Sequence, residues 1–325
     1  MNILYGIQLN GNGHLTRSQE VIKELLKRGH NVDIITSGGK SSLDLNLKCN
    51  ITHFKGLDLF LNQYGSISWM KTIRRANLYR LIKDTNFDSS GYDLVISDFE
   101  PISAWSSIRS GVTSIGISNQ YSLLNSPITN TKDLIYREFI RIFAPCDEYI
   151  GLDYTGNGDW IHSPIISSDL NKINKKIKTI KNSILVYLPN YDLIKQIEVF
   201  SNLPNFNFTI YSNEVLDHPN NIKLKPHDRS SFIESMLKTE GVITASGFTT
   251  TTESLFLGKK LWSIPTKGHY EQLQNSINLE KMGIFIEELS EENFNKWVNE
   301  FNKIECNWVN PINDIIKKIE KNEKN

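Results

Sequence analysis

Short apolar runs alternate with amphipathic stretches along the first half of the chain. Ile3–Gln8 reads as a buried strand. Ser18–Arg28 places Val21, Ile22, Leu25 and Leu26 on one helical face, and Gly29 stops that helix. The next strand falls at Asn31–Ser37, with others at Asp93–Asp98, Val112–Ser118 and Glu148–Leu152. Helical periodicity occupies the intervals around Ser68–Lys83, Ile102–Arg109 and Lys132–Phe143. Strands separated by helices at this spacing predict a parallel, doubly wound sheet, because parallel neighbours need a crossover between them.

A polar, lysine-rich stretch, Ser167–Lys176, lacks the apolar density of a core element and reads as a linker between domains. The alternation then restarts. Strands are predicted at Ser183–Leu188, Asn207–Ser212, Gly241–Ala245 and Lys260–Ile264. Helices fit Tyr191–Phe200, Ser231–Leu237, Thr250–Leu257 and Tyr270–Met282. The halves share architecture without a residue-level repeat. The expected organisation is an N-terminal domain over 1–164, a linker over 165–182 and a C-terminal domain over 183–310. A C-terminal helix over 311–325 is able to cross back to the first domain. Two such halves are expected to leave a cleft between the carboxyl ends of their sheets, where open α/β folds bind ligands.

Composition narrows the classes of function. The 325 residues carry 36 Lys+Arg against 36 Asp+Glu, a balance that argues against a general nucleic-acid binder. Cys49, Cys146 and Cys306 are odd in number and far apart, so neither a disulfide framework nor a CxxC metal site is visible. That usage fits a reducing compartment. The chain opens on strand-like residues with no basic leader, and no apolar stretch reaches the roughly 18–20 residues that span a bilayer. A cytoplasmic location is expected. Ser68–Lys83 mixes Trp69, Ile73 and Leu78 with Lys71, Arg74 and Arg75. It reads either as a core-packed helix with a solvated basic face or as a peripheral contact with anionic lipid on the inner membrane face.

Three segments carry candidate chemistry. Gly11-Asn12-Gly13-His14-Leu15-Thr16-Arg17 follows the first strand and opens the first helix. Its glycines permit a tight turn with backbone exposed at a helix N-terminus, suited to an anion or a sugar. It is not the dinucleotide fingerprint, since Thr16 stands where the third glycine would fall. His14 is placed to act as a general base; a helix-capping turn with an incidental histidine is the alternative. Asp98, at the end of a neighbouring strand, either orients that imidazole or caps the helix after Pro101, and Glu100 is a lesser candidate beside it.

The third segment is Gly241–Gly283. Ser246-Gly247-Phe248-Thr249-Thr250 leaves a strand for a helix and offers N–H groups and hydroxyls to a diphosphate. Glu253, about one turn on, is placed to accept from ribose hydroxyls or to close a capping box. Glu271 and Asn275 lie one turn apart at the start of a later helix, an acceptor and an amide of the kind that reads sugar hydroxyls.

Together these motifs resemble the GT-B glycosyltransferases, above all families 1 and 28 and their bacterial and archaeal relatives, over most of the chain. The acceptor-side pattern G-x-G-H-x-x-R stands at Gly11 to Arg17. The donor-side pattern stands at Ser246, Gly247, Thr250, Glu253, Pro265, Glu271, Gln272 and Asn275. The resemblance implies an α/β GT-B fold, two Rossmann-like doubly wound domains facing across a cleft. It implies an enzyme that moves a sugar from a nucleotide-sugar, most often UDP-linked, to a carbohydrate or lipid-linked acceptor. Ser246 to Thr250 would hold the diphosphate, Glu253 the ribose, and Glu271 with Gln272 the sugar. Gly11, Asn12, Gly13, Arg17 and Glu100 would form the acceptor side. His14 would be the base or an anchor for an acceptor phosphate, and Asp98 its partner. Ala245 stands where plant-type family 1 enzymes carry a diphosphate-binding histidine, which favours a bacterial style of donor loop.

No D-x-D triplet occurs in the sequence, so metal-dependent transferases of that kind are disfavoured. The expected reaction is a metal-independent, inverting displacement with no cofactor, the nucleotide-sugar being a co-substrate. Two other readings stand beside it. One is a UDP-sugar hydrolase of the same fold, with a similar G-x-G-H-x-x-R turn. The other is a non-catalytic subunit that binds a nucleotide-sugar.

Overall fold

The computed structural model describes residues 1–9, 11–39, 47–56, 78–156, 158–173, 177–304, 306 and 308–322. Most of the amphipathic segment Ser68–Lys83 lies outside these residues. Its described end belongs to a helix over Leu78–Asp84. The described residues fall into two compact units, one running from Met1 to Ile165 and again from Val309, the other from Ile166 to Trp308.

The first unit contains strands β1 Asn2–Gln8, β2 Asn31–Ser37, β3 Ile51–Phe54, β4 Leu94–Asp98, β5 Ser114–Ser118, β6 Glu148–Leu152 and β7 Ile161–His162. Its helices are α1 Asn12–Lys27, α2 Leu78–Asp84, α3 Pro101–Ser110, α4 Asn119–Ser122 and α5 Thr131–Phe143. All strands pair in parallel in the order β3-β2-β1-β4-β5-β6-β7. Ile3, Leu4, Tyr5 and Ile7 of β1 and Leu94, Val95 and Ile96 of β4 are buried, as strands covered on both faces require. The strand order reverses direction between β1 and β4, with Ile7 in register with Asp98. A crevice at the carboxyl ends opens at such a point.

The second unit repeats the arrangement. Helix α6 (Ser168–Ile173) precedes β8 (Ser183–Tyr187), α7 (Leu193–Ser201), β9 (Asn207–Tyr211) and β10 (Ile222–Lys225). Then come α8 (Arg229–Lys238), β11 (Gly241–Thr244), α9 (Phe248–Phe256), β12 (Lys260–Ser263), α10 (Tyr270–Lys281) and α11 (Glu291–Glu300). The five strands are parallel, in the order β10-β9-β8-β11-β12, so the direction reverses between β8 and β11. Phe200, Phe208, Trp262, Phe294 and Trp297 dominate the core. Among the described residues, no helix is long and apolar enough to cross a membrane.

The polar stretch read as a linker differs from that expectation at its start. Ser168–Ile173 is helical, and Ile166 and Leu170 pack with Ile233 and Leu237 of α8. Leu170 in the helix and Ile166 just before it are enough to dock this short segment. The last helix, α12 (Ile312–Lys321), belongs to the first unit and buries Ile315, Ile316 and Ile319. Arg28, just past α1, bonds Glu320 at 3.1 Å and Asn313 at 2.9 Å, and His30 Nε2 lies 3.3 Å from Glu320.

Helix α1 starts at Asn12, six residues before the hydrophobic period becomes readable. Its N-cap, Gly11, has φ 140°, a conformation that favours glycine. The glycines and polar residues of the first turn hide it from a periodicity reading, yet they bring α1 close to the ends of β1 and β4.

Gly6, in the middle of β1, shows how close the layers approach. A Cβ there would sit 1.9 Å from Ser103 Oγ and 2.9 Å from Glu100 Oε2. Gly6→Ala is therefore expected to cost about 1–3 kcal/mol or more through overpacking. Urea unfolding of the variant beside the parent checks this, and an unchanged midpoint would contradict it.

Candidate active site

At the switch point of the first sheet, β4 ends in Asp98, which is fully buried. A buried carboxylate demands donors, and α1 supplies them. His14 Nδ1 lies 2.8 Å from Asp98 Oδ1. Arg17 donates from Nε to Oδ2 at 2.7 Å and from Nη2 to Oδ1 at 2.5 Å, a side-on pair. Ser18 Oγ adds a bond to Oδ2 at 2.8 Å. His14 and Arg17 are three residues apart on the first turns of α1, which puts both on the face turned to β4.

Burial alone would raise the Asp98 carboxyl. The Arg17 guanidinium and, after it, His14 outweigh that effect and bring it down to about 2. Asp98 is thus an anion shared between a permanent cation and an imidazole.

Glu100, two residues on, has a different task. It is fully buried and caps α3, accepting from Ile102 N at 2.9 Å and Ser103 N at 2.6 Å and also from the Ser37 hydroxyl. Burial pushes its carboxyl upward against those hydrogen bonds. Its assignment to an acceptor-side loop is corrected accordingly: both oxygens are spent on the fold. Capping of the helix after Pro101 falls to Glu100 and leaves Asp98 to α1. Phe99 between them has φ 52°, a strained conformation for a residue with a bulky side chain, and the two carboxylates serve different neighbours.

Three further residues join the cluster that sequence reading did not single out. Arg17 Nη1 donates to Asn119 Oδ1 at 2.6 Å, and Nη2 to Ser118 Oγ at 2.8 Å. The Gln120 carboxamide nitrogen lies 3.4 Å from His14 Nε2. All three stand where β5 passes into α4, beside the end of β4. The strand-end rule that pointed to Asp98 would have found them if applied to every strand. Gly11 and Gly13 occupy the N-cap and second position of α1. Asn12 begins that helix, and the placement of its side chain lies outside the described residues.

In the second unit, Ser246 and Gly247 link β11 to α9 beside the switch point of that sheet. Gly247 is the N-cap of α9 and no side chain caps this helix. Among the described residues, six helices by contrast have a side-chain cap: α3, α5, α7, α8, α10 and α11. Ser246 and Phe248 are buried, and the Ser246 hydroxyl pairs with Ser263 Oγ at 2.8 Å. Gly247, Thr249 and Thr250 are half-buried. The turn therefore presents its backbone and two threonines, while the Ser246 hydroxyl faces inward.

Glu253 closes no capping box. Its carboxylate is buried and paired with both terminal nitrogens of Arg229, from Nη1 to Oε2 at 2.9 Å and from Nη2 to Oε1. Arg229 starts α8 and carries no motif of its own, so only the packing of α8 beside α9 shows it. Asn275 is buried and donates to the Ser246 carbonyl at 3.0 Å. Its amide thus braces the β11–α9 turn from behind. Gln272 accepts from Thr266 N at 2.9 Å and so pins the loop between β12 and α10. Glu271, next to it, is half-buried in the first turn of α10.

Two Rossmann-like parallel-sheet units, one with a histidine–carboxylate pair at its switch point, have the fold of the GT-B class. The chain belongs to glycosyl transferase family 1, whose family model matches residues 1–302. It is similar in structure to the glycotransferase of kitacinnamycin, at 15% identity over 92% of this chain and 89% of that one, with a TM-score of 0.61. MurG from Acinetobacter baumannii matches at 13% identity over 99% of this chain and 100% of that one, TM-score 0.61. A UDP-glucosyltransferase from Polygonum tinctorium capable of glucosylating indoxyl matches at 14% over 98% and 93%, TM-score 0.61. At these identities the likeness is one of fold. No curated protein sequence matches the chain.

The buried pair makes stability depend on pH. The Asp98 carboxyl is held below its ordinary 3.8, so its contribution is fully present above that pH and is lost as pH falls through about 2. A shift of that size is worth about 2 kcal/mol. Asp98→Asn strands the Arg17 charge and is expected to cost about 3–5 kcal/mol at neutral pH. Between pH 3.8 and about 2 the deficit should shrink by about the Asp98 contribution. Urea unfolding of both proteins across that window checks the sign; a deficit that widens in acid would refute it.

Proposed function

We propose that this glycosyltransferase moves a sugar from a nucleotide-sugar, UDP-linked in our reading, to an acceptor hydroxyl, with inversion and without a metal ion. The observation that carries this is the His14–Asp98 pair at the first switch point, matched by an uncapped helix N-terminus at the second. The UDP-glucosyltransferase among the structural neighbours supports the choice of nucleotide.

In this reading the acceptor oxygen bonds to the anomeric carbon as that carbon's bond to the diphosphate breaks. His14 Nε2 takes the acceptor proton, and Asp98 stabilises the resulting imidazolium through Nδ1. The departing diphosphate carries the developing charge. The first N–H groups of α9, with Thr249 and Thr250, stabilise it there by preorganised dipoles. Glu253, oriented by Arg229, accepts from the ribose, and Glu271 with Gln272 faces the sugar. The absence of a D-x-D triplet supports a metal-free leaving group.

Thermal-shift measurements test the donor side. Addition of UDP or a UDP-sugar at 100 times its Kd should stabilise the second unit by about 2.7 kcal/mol. Treatment with EDTA should leave both the shift and turnover unchanged. Loss of turnover on chelation, restored by Mn²⁺ or Mg²⁺, would refute the metal-free mechanism.

Kinetics test the base. His14→Ala should lower kcat by about 10²–10⁴-fold. Donor Kd should change little, because the nucleotide site is built from the other unit. Near-normal kcat would remove His14 as the base, and a loss confined to acceptor KM would make it an acceptor anchor.

A further inference from the structure

His14 has a partner on each ring nitrogen, and the second one fixes where its proton sits. Nε2 lies 3.4 Å from the Gln120 carboxamide nitrogen, and Gln120 is only 4% exposed. The carboxamide oxygen faces two donors, the Ser118 hydroxyl and, at 3.5 Å, Arg17 Nη2. A guanidinium has donors only, so the amide oxygen must turn toward it and the NH₂ toward His14. A donor at Nε2 requires a lone pair there. Nδ1 then carries the proton, and Asp98 Oδ1 at 2.8 Å accepts it.

Arg17 Nη2 also lies 2.6 Å from Nδ1, which raises the opposite possibility of Arg17 donating to an unprotonated Nδ1. Better acceptors claim the hydrogens of Nη2: Asp98 Oδ1 at 2.5 Å and Ser118 Oγ at 2.8 Å. Ser118 in turn passes its own hydrogen to Gln120. The reversed network would place the proton on Nε2 and the Gln120 NH₂ against the guanidinium. It would also leave a bare Nδ1 lone pair 2.8 Å from Asp98 Oδ1, two acceptors in contact in a buried site. That cost exceeds the close approach of Arg17 Nη2 to a protonated Nδ1, so the first network holds.

We propose that Gln120 is a positioning residue for His14. Held oxygen-first by Arg17 and Ser118, it keeps the Nε2 lone pair available and gives way to the acceptor hydroxyl when that group arrives. At 3.4 Å its own hydrogen bond is long and weak, so an O–H donor displaces it readily. This role rests on His14 being the base.

The test reads the His14 tautomer directly. The full chain, labelled with ¹⁵N-histidine, is compared with Gln120→Met, which keeps the volume, and Gln120→Glu. The His14 signals are assigned by their loss in His14→Ala. The parent should show a protonated Nδ1 and a bare Nε2. Gln120→Glu presents only acceptors and should add a proton at Nε2, since Asp98 still accepts from Nδ1; Gln120→Met should mix the two forms. UDP release from UDP-glucose, in the presence of a panel of sugar and alcohol acceptors, should fall about fivefold or more in both variants. Donor Kd should stay unchanged.

A parent with its proton on Nε2 overturns the proposal without any activity measurement. Variants with parental tautomer and parental kcat overturn it as well. If His14→Ala is inactive while the Gln120 variants turn over normally, only the Gln120 role fails. If His14→Ala retains turnover, the base assignment itself fails and takes the catalytic role of Gln120 with it.

Discussion

Asp98 stands at the end of a central strand with no access to water, and most of what surrounds it answers to that fact. An isolated carboxylate in such a place would cost several kcal/mol or take up a proton. Arg17 prevents both by binding it side-on, and in doing so draws Ser118 and Asn119 into a single network with α1. The imidazole of His14 then occupies what remains of Oδ1. Its orientation is therefore a by-product of how a buried charge is satisfied. Arg17 has a double effect: it keeps Asp98 ionised, yet it competes with the imidazole for the same oxygen.

The two units share a strand order but solve their switch points with opposite chemistry. The first spends buried charge, through Asp98 and Arg17. The second uses small residues and a bare helix end, braced from behind by Asn275 and Ser263. Its buried ion pair Arg229–Glu253 lies about one turn into α9 and away from the cap. A base needs a partner for the charge it acquires, whereas a diphosphate needs donors and no competing carboxylate. The same backbone topology accommodates both because the differences lie in the residues just past the strand ends.

The sheet centres were legible in the sequence because their strands are continuous apolar runs. β1, β4, β5, β8 and β11 announce themselves in this way. Of the four edge strands, only β12 was read; the other three were not. β3 is largely exposed, β7 has two residues, and β10 interleaves lysines with its apolar positions. Helix α11 also went unread, although Phe294 and Trp297 on its inner face are buried. His14 and Asp98 were legible from chain position, since both follow strands expected to be neighbours. Ser118, Asn119 and Gln120 were not, being common polar residues in no motif and about a hundred positions from His14. Arg229 was hidden for the same reason. Conversely, Glu100 looked like a ligand contact because a polar residue at a strand end has the same signature whether it faces outward or braces the backbone.

The return of α12 to the first unit changes how this chain can be recombined with relatives. A chimera made by one crossover after Ile165 would inherit its C-terminal helix from the wrong parent. Ile315, Ile316 and Ile319 would then meet an unmatched surface, and Glu320 would lose Arg28 and His30. Arg28 stands at the far end of the same helix that carries His14, so the mismatch would load α1 itself. Exchange of the second unit as an intact module therefore calls for two junctions, one between Ile165 and Ile166 and one between Trp308 and Val309. The module boundary is set by where the chain packs, and the order of residues along it is a poor guide.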